Sequence, residues 1–208
     1  FAPTLIRMGA NSGKQVFDGE LWRLCTSIFL HAGYVHVLLN GYVLVMLGGF
    51  FNRIFGATRF LLLFIISGLV GSAASVIAGK ASMSVGASGA LWGLFGLSGA
   101  LIVRPSAFLP EPIRVRMRRI TIINLVINLG VSFLPMVDLW AHLGGGIAGF
   151  LVGLIIIHVE KGEPVWLRLE AENTSLGHRI WEHVKSPVVF ICTFLVLSSF
   201  ALQFYRYQ

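Results

Sequence analysis

Charged side chains are scarce in this sequence. Of its 208 residues only 12% are Asp, Glu, Lys or Arg, whereas 56% are hydrophobic, and the mean hydropathy is +0.81. A soluble domain of ordinary composition carries about 25% charged residues, so this chain has too few to cover a water-facing surface. The composition excludes an ordinary soluble domain and indicates a polytopic membrane protein.

Aspartate, cysteine and metal-binding motifs are also rare or missing. Of the two aspartates, Asp18 and Asp138, only Asp138 borders an apolar run, which excludes a membrane protease that works with paired aspartates. Two cysteines are too few for a disulfide framework. His31 and His36 have no Cys or carboxylate beside them, and neither H-E-x-x-H nor a nucleotide-binding glycine motif occurs. We therefore expect no metal and no cofactor.

Long uncharged runs are what the sequence has instead. Six runs of 18 or more residues contain no Asp, Glu, Lys or Arg, and roughly 20 apolar residues cross the hydrocarbon core of a bilayer. The sequence therefore predicts an all-α, polytopic membrane helical bundle with six spans. Three prolines after residue 103 predict a non-helical start to the loop before the fourth span. The predicted spans are 35–51, 60–78, 88–103, 120–133, 139–158 and 187–205.

The basic residues are unevenly distributed between the predicted loops. Arg53 and Arg59 flank one loop, and a second loop on the same side holds Arg104, Arg114, Arg116, Arg118 and Arg119. This asymmetry is the positive-inside pattern, so the net charge of +7 indicates topology, with lipid and not nucleic acid as the partner. The span ends near His36, Ser88 and His142 should then face away from the cytosol.

A serine and a histidine begin two glycine-rich spans. Glycines follow Ser88 at positions 89, 93 and 96, and follow His142 at positions 145, 149 and 153. Faces without side chains let helix backbones approach closely, either for packing alone or to bring a hydroxyl within reach of an imidazole. Taken singly, a membrane serine more often bonds back to its own helix. Together the two residues are the minimum for an activated serine nucleophile.

Three more side chains could serve such a pair. Trp92, one helical turn after the serine, could stack against the histidine or simply contact lipid or core. His36 and Asn40 lie four residues apart and share one helix face. Both can donate hydrogen bonds, which suits either an oxyanion hole or an ordinary contact between helix and loop.

Four motifs in series resemble the rhomboid intramembrane serine proteases. The motifs are WR at 22–23, HAGYVHVLLN at 31–40, GASGALWG at 86–93 and AHLGGGIAG at 141–149. The resemblance covers about residues 15–158, and it implies hydrolysis of peptide bonds in or next to the transmembrane helices of substrate proteins. The alternative is an inactive rhomboid-like protein that binds transmembrane helices, although such relatives lose the serine or histidine kept here. A transporter would require broken helices in two matching halves, which the sequence lacks.

The resemblance also implies residue roles. Ser88 would be the nucleophile and His142 the general base, in a dyad without an essential acid. His36, Asn40 and the Ser88 backbone N–H would form the oxyanion hole. Gly86 would shape the loop that presents the serine, and Trp92 stands where family members often have Tyr. The supporting residues are the close-contact glycines Gly145 and Gly149, and Trp22 and Arg23 of a membrane-embedded first loop expected near the headgroups.

Three segments follow from the resemblance and the apolar runs. Residues 1–160 would be the rhomboid catalytic core, N-terminally truncated because the span that usually precedes the first loop is missing. Residues 161–186 would be a cytosolic interfacial connector, and 187–208 an additional C-terminal transmembrane helix. We expect seven spans in the intact protein and a bacterial cytoplasmic membrane, with the active site opening to the outer side.

Overall fold

The computed structural model describes residues 2–78, 83–104, 111–134 and 137–159. Within these ranges the chain is helical, and its one β contact is an isolated antiparallel bridge between Asn11 and Ser84. The prediction of an all-α chain is confirmed for these residues. The predicted connector and C-terminal span lie outside the described residues, so the number of spans stays a prediction.

Short helices fold the N-terminal segment around one buried arginine. The Arg23 guanidinium is fully buried, and its Nε donates to Glu20 Oε2 at 2.7 Å. Its Nη1 donates to the carbonyls of Ile6 at 2.6 Å and Ala10 at 3.0 Å. The guanidinium is thus enclosed by protein, where a carboxylate and backbone carbonyls compensate its burial, and its expected depth near the lipid headgroups stays a prediction. The elements are α1 (Ala2–Arg7), α2 (Gly13–Phe17), α3 (Arg23–Thr26) and a 3-10 turn (Ser27–Phe29).

Five longer helices follow, and they are α4 (Tyr34–Val43), α5 (Gly49–Ala78), α6 (Ser88–Val103), α7 (Glu111–Ser132) and α8 (Leu139–Val159). A π turn joins α4 to α5, and together they form one of two stretches that are long and apolar enough to cross a membrane; the other lies in α8. Gly56 has φ +79°, a value that favours glycine, and it kinks this first stretch. The kink falls between the predicted spans 35–51 and 60–78.

Helices α5, α6 and α8 form the packed core. A Cβ added to Gly145 of α8 would collide with the Gly89 carbonyl oxygen of α6, so the two backbones touch. A Cβ on Gly71 of α5 would lie 2.6 Å from the Ala141 carbonyl oxygen of α8, so α5 approaches α8 just as closely. Contacts this close need helix faces without side chains, as the glycine spacing in the sequence indicates.

Helix α7 begins earlier than predicted. It starts at Glu111 rather than at residue 120, and Pro112 lies in its first turn. A proline is tolerated there because the first N–H groups of a helix have no partner within the helix. Four of the arginines expected in a loop therefore lie on the first turns of this helix. The prediction of a non-helical segment around Pro112 is wrong for this reason.

Candidate active site

The site is built around the start of helix α6. The helix begins at Ser88, where the sequence predicts it, and Gly86 precedes it with φ +119°. A Cβ on Gly86 would be strained by that angle and would lie 2.6 Å from His36 Cε1 and 2.7 Å from its Nε2. The Gly86 N–H donates to the Ser27 carbonyl at 2.9 Å, which fixes the loop against the N-terminal segment. Glycine is thus required at position 86 for two separate reasons.

His36 and Asn40 place two hydrogen-bond donors beside this loop. The backbone N–H of Ala32 donates to His36 Nδ1 at 3.3 Å, so the ring proton lies on Nε2, the nitrogen close to Gly86. Asn40 Nδ2 is buried and has no hydrogen-bond partner among the described residues. It lies 3.5 Å from the Cβ position of Gly86. Two N–H donors therefore converge on the residue that lies two positions before Ser88.

His31 flanks this pair from outside the helix. Its ring meets the His36 ring edge to face, with centroids 5.1 Å apart and an interplanar angle of 74°. Burial lowers the pKa of the His31 ring, against a smaller opposing effect of a backbone hydrogen bond involving Phe29. Within the ranges that the structure describes, no third His, Cys, Asp or Glu joins these rings to form a metal site.

His142 is held on one ring face and on one ring edge. Its side chain is 6% exposed, and its ring stacks on Trp92 with centroids 5.2 Å apart and an interplanar angle of 21°. Of the two interpretations of Trp92, stacking is therefore the one observed. His142 Nδ1 lies 2.6 Å from the Ser132 hydroxyl at the end of α7. A buried imidazole in this position can accept a proton only at Nε2 if Nδ1 already carries one.

The serine and the histidine are brought close through their neighbours in sequence. A Cβ on Gly89, next to Ser88, would lie 3.2 Å from the carbonyl oxygen of Ala141, next to His142. Within the described parts of the chain, however, no hydrogen bond joins the Ser88 hydroxyl to the His142 ring. Catalytic hydrogen bonds are often long without substrate and tighten when it binds. The dyad assignment therefore stays a prediction.

Sequence reasoning missed the residues that support His142. Asp138 Oδ1 accepts the Ala141 N–H at 3.0 Å and so caps α8, while its Oδ2 accepts a hydrogen bond from Ser75 of α5. An aspartate just before an apolar helix is a known start signal, which could have revealed this cap. Ser132 has no such signal, because nothing in its sequence surroundings relates it to a histidine ten residues later.

Comparisons with known proteins agree with this architecture. A family model described as "Rhomboid domain" matches residues 18–159. RHOMBOID-like protein 5 of Arabidopsis thaliana is 40% identical over 74% of this chain and 50% of its own length. RHOMBOID-like protein 6, mitochondrial, of the same plant is 37% identical over 94% of the chain and 64% of its own length. Rhomboid protease GluP of Bacillus subtilis is 37% identical over 71% of the chain and 28% of its own length.

These relatives identify the family of this chain but not the membrane in which it resides. The chain spans about half the length of the plant relatives it matches. They come from a plant as well as a bacterium, and one is named mitochondrial, so they do not support the expectation of a bacterial membrane. With a domain match over more than half of its residues and apolar helices long enough to span a bilayer, this integral membrane protein belongs to the rhomboid family.

Proposed function

We propose that this protein is an intramembrane serine endopeptidase. Ser88 Oγ attacks the scissile carbonyl carbon of the substrate while His142 Nε2 takes the hydroxyl proton. The tetrahedral intermediate collapses when His142 returns that proton to the leaving amine. A water molecule, deprotonated by the same nitrogen, then attacks the acyl ester, and the ester bond to Ser88 Oγ breaks as His142 returns the proton to that oxygen, which releases the second product.

The amide of Asn40, which has no hydrogen-bond partner in the described parts of the chain, is the observation that carries this proposal. A buried N–H donor without an acceptor costs about 1–3 kcal/mol, so its retention needs a reason. An oxyanion formed beside Ser88 would accept hydrogen bonds from Asn40 Nδ2 and His36 Nε2. The backbone N–H of Ser88 adds a third donor, because the first residues of a helix have no partner for their N–H groups inside the helix.

The length of α6 supports chemistry below the membrane surface. Its 16 residues rise 1.5 Å each, so the helix is about 24 Å long, against a hydrocarbon core of about 30 Å. If the end next to Arg104 lies at the basic boundary, Ser88 lies about 6 Å inside the opposite one. The reaction then needs a polar path that brings water to His142.

Transmembrane proteins are the proposed substrates. The amides of a substrate helix are hydrogen-bonded within that helix, so the cleaved segment must unwind before Ser88 can reach it. We expect cleavage near a helix end with small or helix-weakening residues. Arg104 follows the end of α6 opposite Ser88, and Arg53 and Arg59 flank the loop predicted on the same side, so the active site is proposed to open on the non-cytosolic side.

A cleavage assay with matched variants tests this function. Purified protein in detergent is incubated with a single-span reporter, and the products are followed by gel and mass spectrometry. Ser88→Ala and His142→Ala should each lose at least ~10³-fold in turnover. The matched controls are Ser98→Ala, a serine of α6 that donates to its own helix at Leu94 (2.9 Å), and His158→Ala at the far end of α8.

The outcomes separate an enzyme from a binding protein. Turnover close to wild type in both controls, together with its loss in both site variants, supports the endopeptidase. Cleavage that persists in Ser88→Ala and His142→Ala contradicts the assigned dyad. A wild-type protein that co-purifies with the reporter but never cleaves it would favour an inactive rhomboid-like protein that binds transmembrane helices.

A further inference from the structure

We propose that Ser132 is a positioning residue that holds His142 in the tautomer needed for proton transfer. The inference rests on the proposed function, because it concerns the base of the same dyad. It assigns a role to a side chain that lies on α7, a different helix from those that carry Ser88 and His142. The sequence alone did not single out this serine.

The geometry around the Ser132 hydroxyl is specific. Ser132 is the last residue of α7, and its side chain is 1% exposed. Its Oγ lies 2.7 Å from the Asn128 carbonyl oxygen of its own helix and 2.6 Å from His142 Nδ1 on α8. Both are hydrogen-bonding distances, so one hydroxyl serves a carbonyl and an imidazole at once.

The two partners dictate which atom carries each proton. A carbonyl oxygen only accepts, so the single hydroxyl hydrogen of Ser132 is donated to Asn128. The hydroxyl oxygen can then only accept from the imidazole, which places a proton on His142 Nδ1. The neutral ring therefore keeps its lone pair on Nε2. In an imidazole ring, the hydrogen bond made by one nitrogen sets the protonation state of the other nitrogen.

This arrangement serves the proposed reaction at two points. Before attack, Nε2 is free to take the proton from Ser88 Oγ. After attack, both ring nitrogens carry protons, and the Nδ1–H remains bonded to the Ser132 oxygen, so the imidazolium keeps an acceptor. A neutral hydroxyl does this without placing a second charge at membrane depth, where a carboxylate would be costly. A dyad without an acid thus still has an orienting partner for its base.

Kinetic measurements that compare Ser132 with Ser98 test the positioning role of Ser132. Ser98 makes the same bond to the carbonyl four residues earlier in its helix, but among the described residues no hydrogen bond joins it to a histidine. Ser132→Ala should lower kcat by about 10- to 100-fold with KM nearly unchanged, by analogy with the loss of a group that orients a metal-binding histidine. Ser132→Thr, which keeps the hydroxyl, should restore turnover, and Ser98→Ala should match the wild type.

A spectroscopic readout follows the proton itself. In full-length protein labelled with ¹⁵N-histidine, the His142 signals are identified by their loss in His142→Ala. The wild type at neutral pH should show a protonated Nδ1 and an unprotonated Nε2, and Ser132→Ala should shift this ratio toward Nε2–H. Ser98→Ala should leave the signals unchanged.

Two results would overturn the inference. One is a wild-type His142 with an unprotonated Nδ1, a measurement that needs no variant and no activity. The other is an active wild type whose turnover and spectrum are the same in Ser132→Ala and Ser98→Ala. A wild type that shows the expected tautomer but cleaves nothing would instead contradict the proposed function, so the two failures are distinguishable.

Discussion

Helix α7 and the region around Ser88 use the same residue types in opposite ways. On α7, Asn124 Nδ2 donates to the Ile120 carbonyl of its own helix at 2.8 Å, and a Cβ on Gly130 would meet no atom of the described residues within 4 Å. Near the site, Asn40 Nδ2 has no partner within the described ranges, and a Cβ on Gly149 would collide with the backbone of α6. The difference lies in tertiary contacts and not in residue type.

This contrast distinguishes polar residues that are hydrogen-bonded within their own helix from the residues proposed to act in catalysis. An asparagine or serine that bonds to its own helix needs nothing from the rest of the fold. An asparagine that stays unpaired, or a serine that also reaches another helix, points to a partner elsewhere. Ser132 is the point at which α7 departs from its own pattern, because its hydroxyl reaches the ring of His142 on α8.

Alanine substitutions of Asn40 and Asn124 should show the largest difference in turnover. Asn40→Ala removes a proposed oxyanion donor and should lower kcat by about 10²- to 10³-fold, the scale of losing one such group. Asn124→Ala removes only a bond within α7 and should leave kcat close to wild type. Both are measured by reporter cleavage at saturating substrate. Equal turnover in the two variants would remove Asn40 from the oxyanion hole.

Alanine substitutions of Gly149 and Gly130 should change the stability of the protein in opposite directions. Gly149→Ala forces α6 and α8 apart and should lower the free energy of unfolding by about 1–3 kcal/mol, the usual range for overpacking. Gly130→Ala meets no described residue within 4 Å and should raise this free energy by up to about 1 kcal/mol, because alanine favours helix more than glycine does. Thermal unfolding in detergent measures both. A Gly149→Ala protein as stable as Gly130→Ala would contradict the backbone contact.

The smallest effect concerns the aromatic face of His142. Trp92→Ala should lower turnover by about 3- to 10-fold, since an aromatic stack contributes about 0.5–1.5 kcal/mol, and Trp92→Tyr should restore most of it. The loss of turnover in the double variant Trp92→Ala/Ser132→Ala should not equal the combined losses of the two single variants, because both side chains hold the same ring. Strict additivity of the two changes in a double-mutant cycle would mean that face and edge act independently.

Much of this architecture could be predicted from local patterns. The start of α6 at Ser88 follows from the small residues before it, and the contact between α6 and α8 follows from glycines at helical spacing. The stacking of Trp92 on His142 follows from the same spacing, once the two helices are known to cross. Each feature depends on residues that lie close in sequence or repeat along one helix face.

What could not be predicted depends on contacts between distant segments. The burial of Arg23 depends on hydrogen bonds to the carbonyls of Ile6 and Ala10, which cannot be predicted from composition. The early start of α7 depends on Pro112 lying in the first turn, where the same residue that breaks a helix is tolerated. The bond from Ser132 to His142 joins two helices and has no periodic signature.

Covalent labelling can identify the nucleophilic serine without a protein substrate. A fluorophosphonate probe reacts with a serine hydroxyl that a base has activated, and peptide mass spectrometry then locates the adduct. With the proposed dyad we expect one adduct, on Ser88, in the wild type and in Ser98→Ala, and none in Ser88→Ala or His142→Ala. An adduct that persists in Ser88→Ala, or a wild type that acquires none, would contradict it.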